Sequence, residues 1–164
     1  MLYQVLSFPV FLNEIPFHYS SLPSRDLVFE ISLKTPANSE WLREIQGAHR
    51  LVQTLLQGHL MGQYQLLDFL IWPEGLFVRL CLKETPSLGA FLGFLKERSI
   101  PSGESAKNYW DDELQWIKLV APDNFAESSR SFLEKAEQVR GQVSRSFGFS
   151  PSLFFFYRDP RLNK

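Results

Sequence analysis

The feature that most constrains the fold is a pair of apolar runs separated by a short turn sequence. Tyr64–Trp72 has Asp68 as its only charged residue, and Leu76–Lys83 carries aliphatic side chains at alternate positions. The intervening Pro73-Glu74-Gly75 is typical of a turn. Two such runs joined by a turn predict neighbouring antiparallel strands.

Apolar spacing elsewhere predicts more strands, at a period of two, and helices, at a period of 3.6 residues. The other predicted strands are Tyr3–Leu12, Leu27–Thr35 with one buried face, Leu114–Val120, and a last strand that contains Phe154–Tyr157. The predicted helices are Glu40–Leu56, one with Thr85 as N-cap and Pro86 in its first turn, and one that opens at Pro122-Asp123-Asn124.

This order predicts an α+β fold over residues 1–164 as a single domain. We expect a mainly antiparallel sheet of about four or five strands with two or three packed helices. Residues 1–20 would form an extra N-terminal strand segment, and residues 144–164 a basic, Phe-rich C-terminal segment.

The composition excludes several classes of protein. The 164 residues carry a net charge of −1, which argues against a generally basic nucleic-acid binder but leaves room for a local basic patch. Cys81 is the only cysteine, so an internal disulfide and a cysteine-built zinc site are excluded. No run reaches the ~18 apolar residues of a membrane span, and no signal-peptide pattern is present, so we expect a cytoplasmic protein without a membrane partner.

The sequence contains no familiar motif for a metal, a cofactor or a catalytic triad. His18, His49 and His59 lack the spacing of metal ligands, and Gly89 and Gly93 do not form a phosphate-binding loop. The acidic run Asp111-Asp112-Glu113 is predicted to be a solvated turn. We therefore expect no metal site and no cofactor, and no small-molecule substrate is indicated.

The C-terminal segment is locally basic and aromatic. Its candidate nucleic-acid-binding residues are Arg140, Arg145, Phe147, Phe149, Arg158 and Arg161. Because arginine binds phosphates and aromatic rings stack on unpaired bases, this pattern favours single-stranded nucleic acid. The alternative is that the phenylalanines form the inward face of a terminal strand and the arginines are solvated.

From Leu67 to Leu95, a hydrophobic strand runs into a proline-containing turn, then an apolar strand, a loop and a helix. This stretch resembles the IS200-type and REP-associated Y1 tyrosine transposases, which have the HUH nuclease fold. In that family the turn reads Met-Pro-Asn-His-Val-His, whereas here residues 72–77 read Trp-Pro-Glu-Gly-Leu-Phe, so only Pro73 of the signature is retained. The resemblance covers most of Asp26–Gly141 and implies a ferredoxin-like topology and a homodimer.

The resemblance also shows what is missing. In the family, two histidines bind a divalent metal that polarises the scissile phosphate, and a tyrosine on a helix attacks it. These vestigial positions fall on Gly75, Phe77 and Phe132, none of which can ligate a metal or act as a nucleophile. We therefore expect these three residues to lie close together, without a metal and without strand-cleaving activity.

Three functions follow in decreasing order of preference. The first is a catalytically inactive transposase-like protein that still binds hairpin or single-stranded DNA. The second is a structural or protein-interaction domain on the same scaffold, and the third is active DNA transposition. Since 15 Phe and 4 Trp exceed what one small core needs, we also expect a homodimer that contacts through the third helix and Phe154–Tyr157.

Overall fold

The computed structural model describes residues 27–83, 86–147 and 155–159. The elements in chain order are β1 (Leu27–Lys34), α1 (Ile45–Leu60), β2 (Gln65–Trp72), β3 (Gly75–Leu82), α2 (Pro86–Arg98), β4 (Asp111–Val120), α3 (Phe125–Phe147) and β5 (Phe155–Arg158). The predicted strand Tyr3–Leu12 and the predicted N-cap Thr85 lie outside the described residues.

Within the described residues, five strands form one antiparallel sheet in the order β4-β1-β3-β2-β5. The first four have the split β-α-β arrangement, in which β3 is inserted between β1 and β2. The predicted hairpin is confirmed, because β2 and β3 are paired neighbours in the sheet. Their pairing extends to Trp72 and Gly75, the two residues that flank the turn. The predicted α+β class with an antiparallel sheet is also confirmed.

Helices cover both faces of this sheet. On one face, α1 and α2 bury residues such as Leu51, Leu55 and Phe91 against the strands. On the other face, α3 buries Phe132 and Val139 against a second apolar cluster. The prediction that β1 has only one buried face is wrong, since its polar residues are covered by α3.

The first helix differs from its predicted bounds at both ends. Trp41 lies in a turn before the helix, where its indole N–H donates to the Tyr109 carbonyl at 3.0 Å and its ring packs edge-on against Trp110. Helix α1 therefore begins only at Ile45, after the turn that these Trp41 contacts hold in place. The helix also continues past Gly58, which packs against the Tyr64 ring, and ends before Gly62, whose positive φ of 74° reverses the chain.

Several phenylalanines of the described residues are used inside the molecule. Six phenylalanines are at most 4% exposed: Phe29, Phe69, Phe77, Phe91, Phe132 and Phe156. In the terminal strand β5, Phe156 and Tyr157 are buried and pair with β2. The expectation that Phe154–Tyr157 supplies an exposed contact surface is therefore wrong for its described side chains, because they complete the sheet of their own chain.

Beneath α3, one row of side chains crosses all five strands with alternating charge. Its members, from β4 to β5, are Lys118, Glu30, Arg79, Asp68 and Arg158, and each is the register partner of the next. We call this the charge row. Opposite charges at adjacent positions on one face attract across the strands, so the order of charges favours this register.

The strongest contact in the charge row is buried completely. Arg79 donates to both carboxylate oxygens of Asp68, at 2.8 and 2.7 Å, and both side chains are 0% exposed. Burial raises the pKa of the Asp68 carboxyl, and the guanidinium of Arg79 opposes that shift. Neither charged group is in contact with solvent. If one member of the pair were removed, the other charge would therefore be left buried and uncompensated.

The first turns of α3 are attached to the charge row. Arg79 donates to the Ser128 hydroxyl at 2.9 Å, and that hydroxyl donates to the Glu30 carboxylate at 2.5 Å. At the other end of the row, Arg158 donates to the Ser129 carbonyl at 3.1 Å. These contacts fix where α3 lies on the sheet.

Replacing Asp68 with Ala should therefore destabilise the protein strongly. We expect a loss of about 3–5 kcal/mol, because Arg79 would remain charged and buried without its partner. Urea unfolding measures the change. Asp112→Ala is the control, since its contact with Lys96 is an exposed ion pair and should contribute at most about 1 kcal/mol.

A double replacement, Asp68→Leu with Arg79→Met, separates lost charge pairing from lost volume. It should recover part of the single-variant loss, because the fully buried guanidinium of Arg79 is removed together with its partner. A loss below about 1 kcal/mol for Asp68→Ala would contradict the buried-pair account.

Candidate functional site

The positions that the resemblance assigns to catalysis lie on the α3 face of the sheet. Phe77 in β3 and Phe132 in α3 stack with ring centroids 5.7 Å apart, and both are buried. The expected juxtaposition of these two residues is thus present. Gly75 shares the same face of β3, two residues before Phe77.

Gly75 has no room for a side chain. A Cβ there would clash with the Leu33 carbonyl oxygen of the adjacent strand. Its register partners are Lys34 on β1 and Trp72 on β2. Because Gly75 leaves the space between them empty, the Lys34 ammonium reaches the Trp72 ring, 4.4 Å from its centroid.

Phe77 and Phe132 belong to a longer series of stacked rings, which we call the aromatic row. From β4 inward the ring centroids are 6.2 Å apart for Trp116 and Phe77, 5.7 Å for Phe77 and Phe132, and 5.6 Å for Phe132 and Phe156. The interplanar angles lie between 24° and 34°, so neighbouring rings are close to parallel. The three phenylalanines are buried, whereas Trp116 is 45% exposed.

An open cleft of about 320 Å³ runs along the exposed end of the aromatic row, between α3 and strands β1 and β4. We call it the α3–β4 cleft. Its lining residues are Glu30, Ser32, Lys34, Phe77, Leu114, Trp116, Ser131, Phe132 and Lys135. The lining therefore combines aromatic rings, two hydroxyls, two ammonium groups and one carboxylate.

The two lysines of the cleft face aromatic rings. Lys135 lies 5.0 Å from the Phe77 centroid, as Lys34 lies over Trp72. Among the described residues, no carboxylate is within ion-pair distance of either ammonium group. Burial lowers the pKa of Lys34 and the positive charge of Lys135 lowers it further, whereas the negative charge of Glu74 opposes both effects.

Glu30 does not neutralise these lysines. It lies on the floor of the α3–β4 cleft, where its carboxylate accepts the hydrogen bond from Ser128. Glu30 is also the neighbour of Arg79 in the charge row. The cleft is therefore lined by two ammonium groups and one carboxylate, and its positive side is the one that Lys34 and Lys135 form.

The predicted C-terminal arginines do not form one surface. Arg140 lies near Glu137, with their charged atoms 3.7 Å apart, and Arg145 is exposed in the last turns of α3. Five positions along a helix rotate a side chain by about 140°, so these two arginines point to different flanks. The third, Arg158, is engaged by the charge row and the Ser129 carbonyl.

Three other predicted binding residues receive no structural assignment. Phe147 is the last residue of α3, and its side chain lies outside the described part. Phe149 and Arg161 lie outside the described residues altogether. The structure brings together the residues of the α3–β4 cleft and does not assemble the predicted arginine patch from the residues it describes.

Sequence reasoning missed Lys34, Lys135 and Trp116. Each had a signal: Lys34 and Trp116 lie on the polar side of alternating strands, and Lys135 follows Phe132 by three positions, which places it on the same side of α3. What the sequence could not supply is the register that makes Trp116 and Phe77 neighbours through Ser32.

The described residues contain neither a metal-binding cluster nor a membrane-spanning helix. No group of three His, Cys, Asp or Glu side chains is arranged to hold a metal ion there. Among those same residues, no helix is both long enough and apolar enough to cross a membrane.

Comparison with known proteins adds no relative. No protein-family model matches the sequence, and neither a curated protein nor a solved structure matches it. The geometry of the α3–β4 cleft therefore carries the functional argument.

Replacing Lys34 with Met should stabilise the protein at neutral pH by about 0.5 kcal/mol, a modest gain because the site is partly screened by solvent. The methionine keeps the apolar stem over Trp72 and removes a charge that is costlier in the folded than in the unfolded state. Urea unfolding measures the gain, with exposed Lys107→Met as the control.

The pH dependence of this gain has a defined sign. Because the pKa of Lys34 is lowered on folding, the penalty is complete at neutral pH and disappears as the pH rises through that lowered value towards the ordinary one. The advantage of Lys34→Met should therefore shrink in alkaline solution. A variant less stable than the wild type at neutral pH would show that Lys34 is not electrostatically unfavourable.

Proposed function

We propose that this chain is a catalytically inactive, transposase-like domain that binds single-stranded or hairpin DNA in the α3–β4 cleft. One observation carries the proposal: Lys34 and Lys135 lack a carboxylate within ion-pair distance in the described part of the chain and flank an aromatic row that is exposed at Trp116. Single-stranded nucleic acid binds through cationic contacts to phosphates and stacking on aromatic rings. The cleft offers both within one small volume.

The same cleft has no group for strand transfer at the vestigial positions. Gly75, Phe77 and Phe132 carry neither a metal-ligating atom nor a hydroxyl. A phosphoryl transfer through a covalent enzyme intermediate needs a nucleophile and stabilisation of the developing charge. We therefore expect binding without strand cleavage, and a phosphotyrosine adduct formed with magnesium or manganese would overturn this part of the proposal.

The overall charge of the chain does not oppose local binding. The net charge of −1 is spread over the whole molecule, whereas electrostatic contacts act within about 10 Å at moderate salt. Weak binding with a shallow salt dependence is expected from a site with only two free cations. That shallow slope distinguishes this cleft from a generally basic surface.

A salt titration tests the proposal directly. For single strands, each neutralised phosphate contributes about −0.7 to the slope of log affinity against log salt. Lys34→Gln and Lys135→Gln should each make the slope shallower by about 0.7, and the double variant by about 1.4. Fluorescence anisotropy with a labelled single-stranded oligothymidylate and with a DNA hairpin measures these slopes.

Lys107→Gln is the matched control for the titration. Lys107 is exposed and lies in the short segment before β4, where its neighbours Ala106 and Tyr109 pack towards α1 and α2. Its replacement should leave the slope unchanged. Equal effects of Lys107→Gln and Lys135→Gln would mean that binding is not localised in the α3–β4 cleft, and no binding at low salt would refute the proposal.

A protein-interaction function is the second candidate, with a homodimer as its form. The observation in its favour is strand β4, which is the outermost strand of the sheet among the described residues and exposes Leu114, Trp116 and Leu119 by 45–54%. An edge strand presents unpaired backbone groups, and exposed apolar side chains beside them favour association. This surface replaces the terminal strand, whose described aromatic side chains are buried, as an expected dimer contact.

Sedimentation at micromolar concentration tests the dimer. The proposal predicts a species of twice the 19.1 kDa chain mass, which Leu119→Lys should convert to monomer. Leu119 is suitable because it pairs with Phe29 and faces away from the α3–β4 cleft, so its replacement spares the DNA site. A single 19.1 kDa species in the wild type would end the dimer proposal.

A further inference from the structure

The aromatic row ends at the surface. Its three inner rings are buried and stacked in series, and Trp116 is stacked on Phe77 yet remains 45% exposed. A large aromatic side chain left half in solvent at the mouth of a cleft can accept another ring at the same spacing of about 4.5–7 Å. The row is therefore open to extension by a planar ligand.

The cations of the α3–β4 cleft lie beside this open end. Lys135 lies over Phe77, which is the ring next to Trp116, and Lys34 is close enough to Lys135 to feel its charge. A phosphate between the two ammonium groups would relieve their repulsion. A planar ring and a neighbouring anion are the two parts of one nucleotide.

The charge row limits how this ligand can lie. Glu30 occupies the floor of the cleft and Lys118 follows it on β4, so an anion is favoured at the Lys34–Lys135 side and disfavoured over Glu30. A cleft of about 320 Å³ is at the lower end of the ~300–1,000 Å³ range of ligand pockets. This volume suits a ligand of about the size of a single nucleotide.

We propose that Trp116 is the stacking platform for one unpaired base of a nucleic-acid strand, with a flanking phosphate held between Lys34 and Lys135. This inference rests on the proposed function and specifies how the strand is held. Every base has a planar face, so the site tolerates different sequences. Bases within a duplex are already stacked on both sides, so the platform selects single-stranded over double-stranded segments.

Variants of Trp116 test the platform. Trp116→Ser should weaken binding of an oligothymidylate by about 5- to 150-fold, the range that corresponds to loss of one stacked base. Trp116→Phe should retain most of the affinity, because a ring remains. Leu119→Ser is the matched control, since Leu119 is an equally exposed β4 residue on the opposite face, and its replacement should leave affinity unchanged.

Tryptophan fluorescence distinguishes stacking from a purely structural role of Trp116, because a structural role would not cause quenching when a strand binds. Of the four tryptophans, Trp72 and Trp110 are buried and Trp41 packs on the α1 side of the sheet, so quenching by a strand in the α3–β4 cleft should come from Trp116. The wild type should be quenched, whereas Trp116→Phe should bind without that quenching. With a strand whose bases are replaced by abasic sites, wild type and Trp116→Ser should bind equally, because only phosphate contacts remain.

The outcomes separate this inference from the function on which it rests. Salt-dependent binding that Lys135→Gln weakens but Trp116→Ser does not would overturn the stacking platform and leave DNA binding in place. Equal affinity for duplex and single strand would also overturn it. Absence of wild-type binding at low salt would overturn both the platform and the proposed function.

Discussion

Arg79 lies at the centre of the sheet without solvent contact, so its charge must be matched by protein groups alone. Asp68 supplies the matching charge through two hydrogen bonds, and Ser128 takes a third from the same guanidinium. Glu30 then accepts from Ser128, which ties β1, β2, β3 and α3 into one network. Because a buried charge without a partner is strongly destabilising, this network holds the helix in one position rather than merely adding stability.

The position of α3 determines the candidate site. Phe132 lies about one helical turn after Ser128, and Lys135 lies about two helical turns after Ser128. The attachment of Ser128 to the charge row therefore places the ring of Phe132 on Phe77 and the ammonium of Lys135 over that same ring.

The α3 face of the sheet is layered along the strands. The charge row comes first. Two residues away lie Trp116 on β4, Phe77 on β3 and Phe156 on β5, which belong to the aromatic row, and Lys34, Gly75 and Trp72 form the next layer. The vestigial positions Gly75 and Phe77 fall in the last two layers. At these two positions the chain has a glycine beside which Lys34 reaches the Trp72 ring, and a phenylalanine ring that continues the stack.

Apolar spacing and turn residues within short stretches of sequence predicted much of the fold. The charge row and the role of Trp116, which they did not predict, depend on which residues of different strands lie side by side. The hairpin, the strand Leu27–Lys34 and the helix after Pro122-Asp123-Asn124 follow from spacing and turn residues that lie within a few positions of one another. The charge row could not be recognised, because Asp68 and Arg79 look like isolated charges until the register places them side by side. The same holds for Trp116, whose role depends on Ser32 and Phe77 in two other strands.

The central claim is that the α3–β4 cleft receives a single nucleic-acid strand, and a nuclear magnetic resonance titration tests it most directly. With isotope-labelled protein and an unlabelled oligothymidylate, the account predicts shifts of the Trp116 indole signal and of the amides of Ser32, Ser131 and Lys135. Amides of α1, on the other face of the sheet, should stay unchanged. Shifts confined to α1 or to the arginine-bearing end of α3, with the Trp116 indole unmoved, would contradict the account.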